Sequence, residues 1–272
     1  MQVHRVIMIN DCSDANARLR IESQVAQAFP GVPTSFYSAE PFATLSLSFL
    51  LAESEFNAGD VVLFNAAPRG ASEVHADNRA GVMIFAELKN GALLVGPNDG
   101  YSLTLIKDQI VHLYMKKGDD GNKSGSQFRS AYVFPKAAGE FTSTPDNELL
   151  AKYEPQDLSL WNWTPVTNDH IVWFDSFDNI KTTSVKALED GKMYTLRIVR
   201  DGRLVGELKL PYREKMTLLA PGELGLITGS SFDHHGIEIV RRTGMVGLTR
   251  TRRYIQETYG FELLIEDEIQ IS

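Results

Sequence analysis

Cysteine is almost missing from this chain: Cys12 is the only one in 272 residues. No internal disulfide can form and no cysteine-based metal cluster can be assembled, so a reducing compartment is expected and stability must come from buried apolar surface. Long apolar runs are missing too, since nothing approaches the ~18 residues of a membrane-spanning helix. The opening Val3-His4-Arg5-Val6-Ile7-Met8-Ile9 is too short and too charged for the apolar core of a signal peptide. A cytoplasmic protein with no membrane partner is expected, and the sequons Asn122-Lys123-Ser124 and Asn162-Trp163-Thr164 read as chance matches. Positive charge is in short supply: 27 Lys and Arg face 35 Asp and Glu, a formal net charge of -8. Such a surface neutralises phosphates poorly, so no nucleic-acid partner is expected. One run opposes the trend. Arg241, Arg242, Arg250, Arg252 and Arg253 read as a solvated face, as intersubunit ion pairs or as a seat for an anionic ligand.

What is present is an ordinary globular composition, 43% hydrophobic and 23% charged, in a chain long enough for two cores. Residues 3–9 are β-branched and nearly continuous, as in a strand buried on both faces of a parallel sheet. They end in Asn10-Asp11-Cys12-Ser13-Asp14, and residues 15–29 follow with apolar positions at helical spacing before Pro30-Gly31 stops them. Residues 34–37 and 60–65 read as strands, 42–53 as a helix, and 81–88 and 92–95 as further strands of the same sheet. Residues 118–125 read as a flexible surface loop. The Pro-marked stretch from Pro145 to Pro165 reads as an interdomain connection anchored by Trp161 and Trp163. Beyond it the pattern shortens into strands at 171–174, 192–199, 203–210, 225–228, 237–240 and 261–265, divided by turns such as Asp190-Gly191 and Asp201-Gly202. The expected fold is an α/β domain over residues 1–155, a mostly parallel sheet flanked by helices, followed by a smaller antiparallel β-barrel-like domain over residues 166–272.

Several constellations carry polar chemistry. In Ile171-Val172-Trp173-Phe174-Asp175-Ser176-Phe177-Asp178-Asn179 an apolar strand runs into a turn whose polar groups need partners. Asp11 stands at the carboxyl end of the first strand, where open α/β sheets gather ligands. A carboxylate there can accept two hydrogen bonds from a ribose diol, although Asp11 or Asp14 could equally cap the following helix. Val95-Gly96-Pro97-Asn98-Asp99-Gly100 reads as a tight turn, and Phe42 as a core residue or a stacking surface. Ser130 has no evident His and Asp partners for a nucleophile, which favours a hydrogen-bonding role. Asp233-His234-His235 makes a poor chelate, because neighbouring strand residues face opposite ways; no metal is expected.

Taken in order, these segments resemble the S-adenosylmethionine hydroxide adenosyltransferase family, which includes the fluorinating and chlorinating enzymes. The strand ending in Thr/Ser-Asp is matched by Asn10-Asp11, the Pro-Asp/Asn-Asn-Gly turn by Pro97-Asn98-Asp99-Gly100, and Asp-x-Phe-Gly-Asn by Asp175-Ser176-Phe177-Asp178-Asn179, with Asp178 in place of glycine. The resemblance implies an α/β domain plus a barrel-like domain, a homotrimer with sites between subunits, and no cofactor beyond S-adenosylmethionine as substrate. It implies that Asp11 holds the ribose diol, Phe42 lies against the sugar, Phe177 and Asn179 hold adenine, Asp175 takes the methionine ammonium and Arg241 lies in the segment contacting adenine. Ser130 falls at the serine near the nucleophile.

The departures concern water activation. Hydrolytic members use an Asp, an Arg and a His, and here Ala67 stands at the Asp and Arg129 at the His, with Arg79 or Arg69 left to supply the Arg. Arginine stays protonated near neutral pH and cannot be a general base. A cationic Arg79 or Arg129 could still hold hydroxide or another anion in line with C5', where orientation alone can supply ~7 kcal/mol or more. Three readings follow: an enzyme cleaving S-adenosylmethionine at C5', a non-catalytic binder of an adenosine compound, and a trimeric scaffold with no nucleoside ligand.

Overall fold

The computed structural model describes residues 1–66, 81–118, 128–159, 161, 163–243 and 249–272. They divide into two compact units, Met1–Pro165 and Val166–Ser272.

The first unit runs β1 (Arg5–Asn10), α1 (Ala15–Ala28), β2 (Thr34–Ser38), α2 (Thr44–Glu53), β3 (Asp60–Asn65), β4 (Met83–Leu88), β5 (Leu93–Pro97), β6 (Ile110–Lys116), α3 (Arg129–Tyr132), α4 (Phe134–Ser143), α5 (Asp146–Lys152) and β7 (Tyr153–Pro155). Its sheet has the order β2-β1-β3-β5-β4-β6-β7. Alternation explains why the first strand reads as one apolar run: Val6 and Met8 join the core beneath α1 and α4, while Ile7 and Ile9 join the core beneath α2. Asp14 begins α1, its carboxylate accepting from Asn16 N at 3.0 Å and Ala17 N at 3.1 Å, a cap worth about 1 kcal/mol.

The sheet is mixed rather than mostly parallel. β2, β1, β3 and β5 run parallel, whereas β5, β4, β6 and β7 alternate in direction. The cause is the short link from β4 to β5, where Asn90 is followed by Gly91 at φ 85° and Gly91 N–H donates to Leu88 O at 2.9 Å. A link this tight can join only antiparallel strands. The stretch from Pro145 is likewise no bare connection: it forms α5 and β7, and Trp161 is buried in the first unit's core.

Two acids in this sheet are perturbed in opposite senses. Burial alone would raise the Asp60 carboxyl, but hydrogen bonds from Arg5 and the Asn57 N–H outweigh it and hold the group below its usual range. Glu87 on β4 is raised, chiefly by burial, with Asp146 adding to the effect and His112 opposing it. Burial also pushes the Tyr153 hydroxyl up to about 12, in a core where its ring packs edge-on against Phe85 and Phe141.

The second unit runs β8 (Asp169–Phe174), β9 (Ile180–Thr182), β10 (Met193–Arg200), β11 (Arg203–Arg213), β12 (Leu224–Thr228), a single turn α6 (Ser231–His234), β13 (Ile237–Arg241), α7 (Thr251–Tyr259) and β14 (Glu268–Ile271). The strands close into a barrel in the order β10-β11-β12-β13-β9-β8-β14, and closure leaves no open edge. Every pairing is antiparallel except β11 with β12. Inward positions such as Leu196, Ile198, Leu208, Leu210, Leu226, Ile239 and Ile269 fill the interior. Asp201 and Gly202 both have positive φ between β10 and β11, the backbone of a tight two-residue hairpin turn. Residues 261–265 form no strand; Leu263 is buried in the barrel core, and the closing strand is β14. Among the described residues, no helix is long and apolar enough to cross a membrane.

Candidate functional site

The chain leaves β1 toward β2 on one side of the sheet and returns through β3 on the other. The carboxyl ends of β1 and β3 therefore flank the point where connections diverge, the place at which open α/β sheets leave a crevice for ligands. Asp11 follows the last residue of β1 and Asn65 is the last residue of β3. Asn65 Nδ2 donates to Asp11 Oδ1 at 2.7 Å, and Asp11 N–H donates to the Asn65 carbonyl at 3.0 Å. Helix capping falls to Asp14, not Asp11.

Phe42 lies outside α2, which starts at Thr44. Its φ of 65° turns the chain just ahead of the helix, its side chain is 47% exposed, and its N–H approaches Asp11 Oδ2 at 3.4 Å. The structure thus brings Asp11 and Phe42 together. The turn after β5 is drawn to the same edge: Tyr101 N–H donates to Thr44 Oγ1 at 3.0 Å, and a Cβ on Gly100, whose φ is 49°, would lie 2.4 Å from that oxygen. Only glycine fits there. Asn98, Gly100, Thr104, Trp161 and Trp163 are among the walls of a small cleft beside it.

Arg129 and Ser130 begin α3 and are buried, at 8% and 5% exposure. The Arg129 guanidinium donates from Nη1 to the Gly81 carbonyl and sits 5.4 Å from the centroid of the Phe134 ring. Gly81 N–H in turn donates to Asp99 Oδ1 at 2.9 Å. A chain of contacts therefore leads from Arg129 through Gly81 to the turn after β5. Ala67, Arg69, Arg79 and most of the glycine-rich loop at 118–125 lie outside the described residues.

In the second unit, the turn between β8 and β9 is built around one carboxylate. Asp175 Oδ1 accepts from Phe177 N at 2.8 Å and Asn179 N at 2.9 Å, and Oδ2 accepts from Asn179 Nδ2 at 3.0 Å. Asp178 N–H closes the turn onto the Asp175 carbonyl at 2.9 Å. Phe177 projects at its tip, 72% exposed. Asp178, which stands where the resembling family has glycine, has φ 66°, a conformation aspartate tolerates better than most residues. Its carboxylate accepts from Arg252 N at 2.9 Å and Arg253 N at 3.3 Å. It thereby caps α7, whose own cap residue Arg250 supplies no side-chain bond.

The basic run is tied down within this unit. Arg241 donates to Gly222 O at 2.9 Å and Thr249 O at 2.5 Å, and its guanidinium lies 3.7 Å from the centroid of the Tyr254 ring. Arg242 bonds the Leu219 carbonyl at 2.5 Å, Arg250 bonds the Ser176 carbonyl at 3.1 Å, and Arg253 pairs with Glu257 at 2.7 Å. Arg252 lies 4.5 Å from the centroid of the Phe174 ring. Asp233 and His234 belong to a left-handed turn with Phe232, their φ values being 54°, 67° and 52°, and such residues cost ~1–2 kcal/mol each. Among the described residues, no three metal-ligating side chains converge.

Two features escape a reading of the sequence. Asn65 is visible there only as a polar residue closing an apolar strand. The other is an ion pair on facing β9 and β13 between a partly buried lysine and a buried glutamate, Lys181 Nζ to Glu238 Oε1 at 2.5 Å, with Ser231 Oγ 3.3 Å from the same ammonium. Glu238 comes so close to the chain at Gly229 that a Cβ there would lie 2.0 Å from Oε1.

No family model matches the chain, and no curated protein matches it. Among solved structures, the chain is similar to an uncharacterized conserved protein from Thermotoga maritima, with TM-score 0.67, 16% identity and coverage of 98% of this chain and 100% of that one. It is also similar to a conserved hypothetical protein from Thermus thermophilus, with TM-score 0.63, 17% identity and full coverage of both chains. At these identities the likeness shows the fold: an α/β unit with a mixed sheet and a closed barrel.

Proposed function

We propose that the protein cleaves S-adenosylmethionine by nucleophilic attack at C5'. Hydroxide or another anion forms the new bond to C5' as the carbon–sulfur bond breaks, and the electron pair leaves on sulfur, releasing neutral methionine and adenosine or a 5'-substituted adenosine. The observation that carries this reading is the Asp11 carboxylate, oriented by Asn65 and Phe42 at the sheet's switch point, because a fixed carboxylate in that crevice suits the two hydroxyls of a ribose. In this reading Asp11 and Phe42 receive the ribose. Asp175, Phe177, Asn179 and Arg241 serve the adenine and methionine ends, and Ser130 with Arg79 or Arg129 holds the nucleophile. We propose likewise a cytoplasmic homotrimer that uses no cofactor.

A second reading is favoured by two observations: the Arg129 guanidinium is bonded to the Gly81 carbonyl, and Ala67 brings no acid. That suits a non-catalytic binder of an adenosine compound. Incubation of purified protein with S-adenosylmethionine, with and without chloride or fluoride, separates the two. Adenosine or a 5'-halo-adenosine in the mass spectrum supports the enzyme. Saturable binding without turnover supports the binder, and absence of both rejects the nucleoside site.

A further inference from the structure

Asn65 ends β3 with a side chain that is 8% exposed. Its amide nitrogen faces Asp11 Oδ1 at 2.7 Å, and charge dictates that orientation: turned over, the amide would press its carbonyl oxygen against a carboxylate. The main chain repeats the tie through Asp11 N–H and the Asn65 carbonyl at 3.0 Å. Phe42 N–H approaches the other carboxylate oxygen at 3.4 Å. With a donor at each oxygen, the Asp11 carboxylate has its plane set by the protein before any ligand arrives. An aspartate that receives one hydroxyl gains little from this, because a single bond is made at many rotations of the carboxylate. One that receives two neighbouring hydroxyls gains at both bonds, since both demand the same plane.

We propose that Asn65 is a positioning residue for diol recognition. It holds the Asp11 carboxylate in the plane that accepts both ribose hydroxyls, and so selects ribonucleosides over deoxyribonucleosides. The inference rests on the nucleoside reading above and adds to it the residue that sets sugar selectivity.

The test is titration calorimetry of adenosine and 2'-deoxyadenosine against the wild-type chain, Asn65→Leu and Asn65→Asp. Wild type is expected to prefer adenosine. Both variants are expected to lose about tenfold or more in adenosine affinity, as when a hydrogen bond to a charged group is disturbed, with less than about twofold change for 2'-deoxyadenosine. A merely structural asparagine would weaken both ligands alike. Equal weakening, no weakening, or a wild type that does not distinguish the two sugars overturns the positioning role and leaves the nucleoside reading standing. A wild type that binds neither nucleoside overturns both. Should Asn65→Leu fail to fold, Asn65→Ser, too short to reach the carboxylate, takes its place and is expected to give the same loss of preference.

Discussion

The two acidic turns of this protein are held in different ways. Asp175 is held by its own neighbours, Phe177 and Asn179, within five residues of chain. Asp11 is held by Asn65 and Phe42, residues 54 and 31 positions away. The first is a local motif that the chain can form as soon as its strand pairs; the second exists only when β1 and β3 lie side by side. A motif search finds the first kind of site. The second kind is found only by asking which strand ends meet.

The largest effect expected is in the barrel, whose wall beyond the Asp175 turn also depends on a distant partner. Lys181→Met leaves Glu238 buried and unpaired and should cost about 3–5 kcal/mol in urea unfolding. A loss under about 1 kcal/mol would mean that this turn's surroundings are held locally too. Next, Asp178→Ala both loses the cap of α7 and places alanine at positive φ, for a total near ~2 kcal/mol, whereas Asp178→Gly should cost only about 1 kcal/mol because it relieves the backbone. Thermal melts of the two variants separate cap from conformation, and equal melts would remove the conformational part. Asp11→Ala and Asn65→Leu, combined in a double-mutant cycle, should couple by about 1 kcal/mol if the long-range tie is real; simple additivity would break the comparison.

The smallest effects concern pH. Asp60 has a lowered folded pKa, so its contribution is complete above the usual aspartate range and is lost as pH falls through the folded value. Glu87 has a raised folded pKa, so stability declines as pH rises from the usual glutamate range through the folded value. Asp60→Asn should flatten the acid side of a stability-versus-pH curve, and Glu87→Gln should remove the decline above it. A curve unchanged by either substitution would show that neither group carries the linkage.

Much of the architecture is legible in local pattern. The continuous apolar run at β1 announces a doubly buried strand, and Asp201-Gly202 announces a hairpin. Sequence and structure part where a tight turn or a tertiary partner decides. Asn90-Gly91 carries the signal that turns β4 antiparallel to β5, but the stronger strand pattern around it points to one continuing parallel sheet. The run of arginines looks like an open charged face, yet Arg241 and Arg242 bond main-chain carbonyls and Arg252 packs on Phe174. Charge spacing cannot foretell such contacts, because a carbonyl acceptor leaves no mark in the sequence.

By itself the sequence determined the alternation that buries each strand, the absence of an internal disulfide, and the Asp175–Asn179 turn, because these depend on residues within a few positions of one another or on composition alone. Only the tertiary structure decided that the sheet is mixed, that Asp178 caps a helix more than seventy residues on, and that Asn65 reaches Asp11. Those contacts join chain segments that no local rule connects, and they form only once the strands have taken their order.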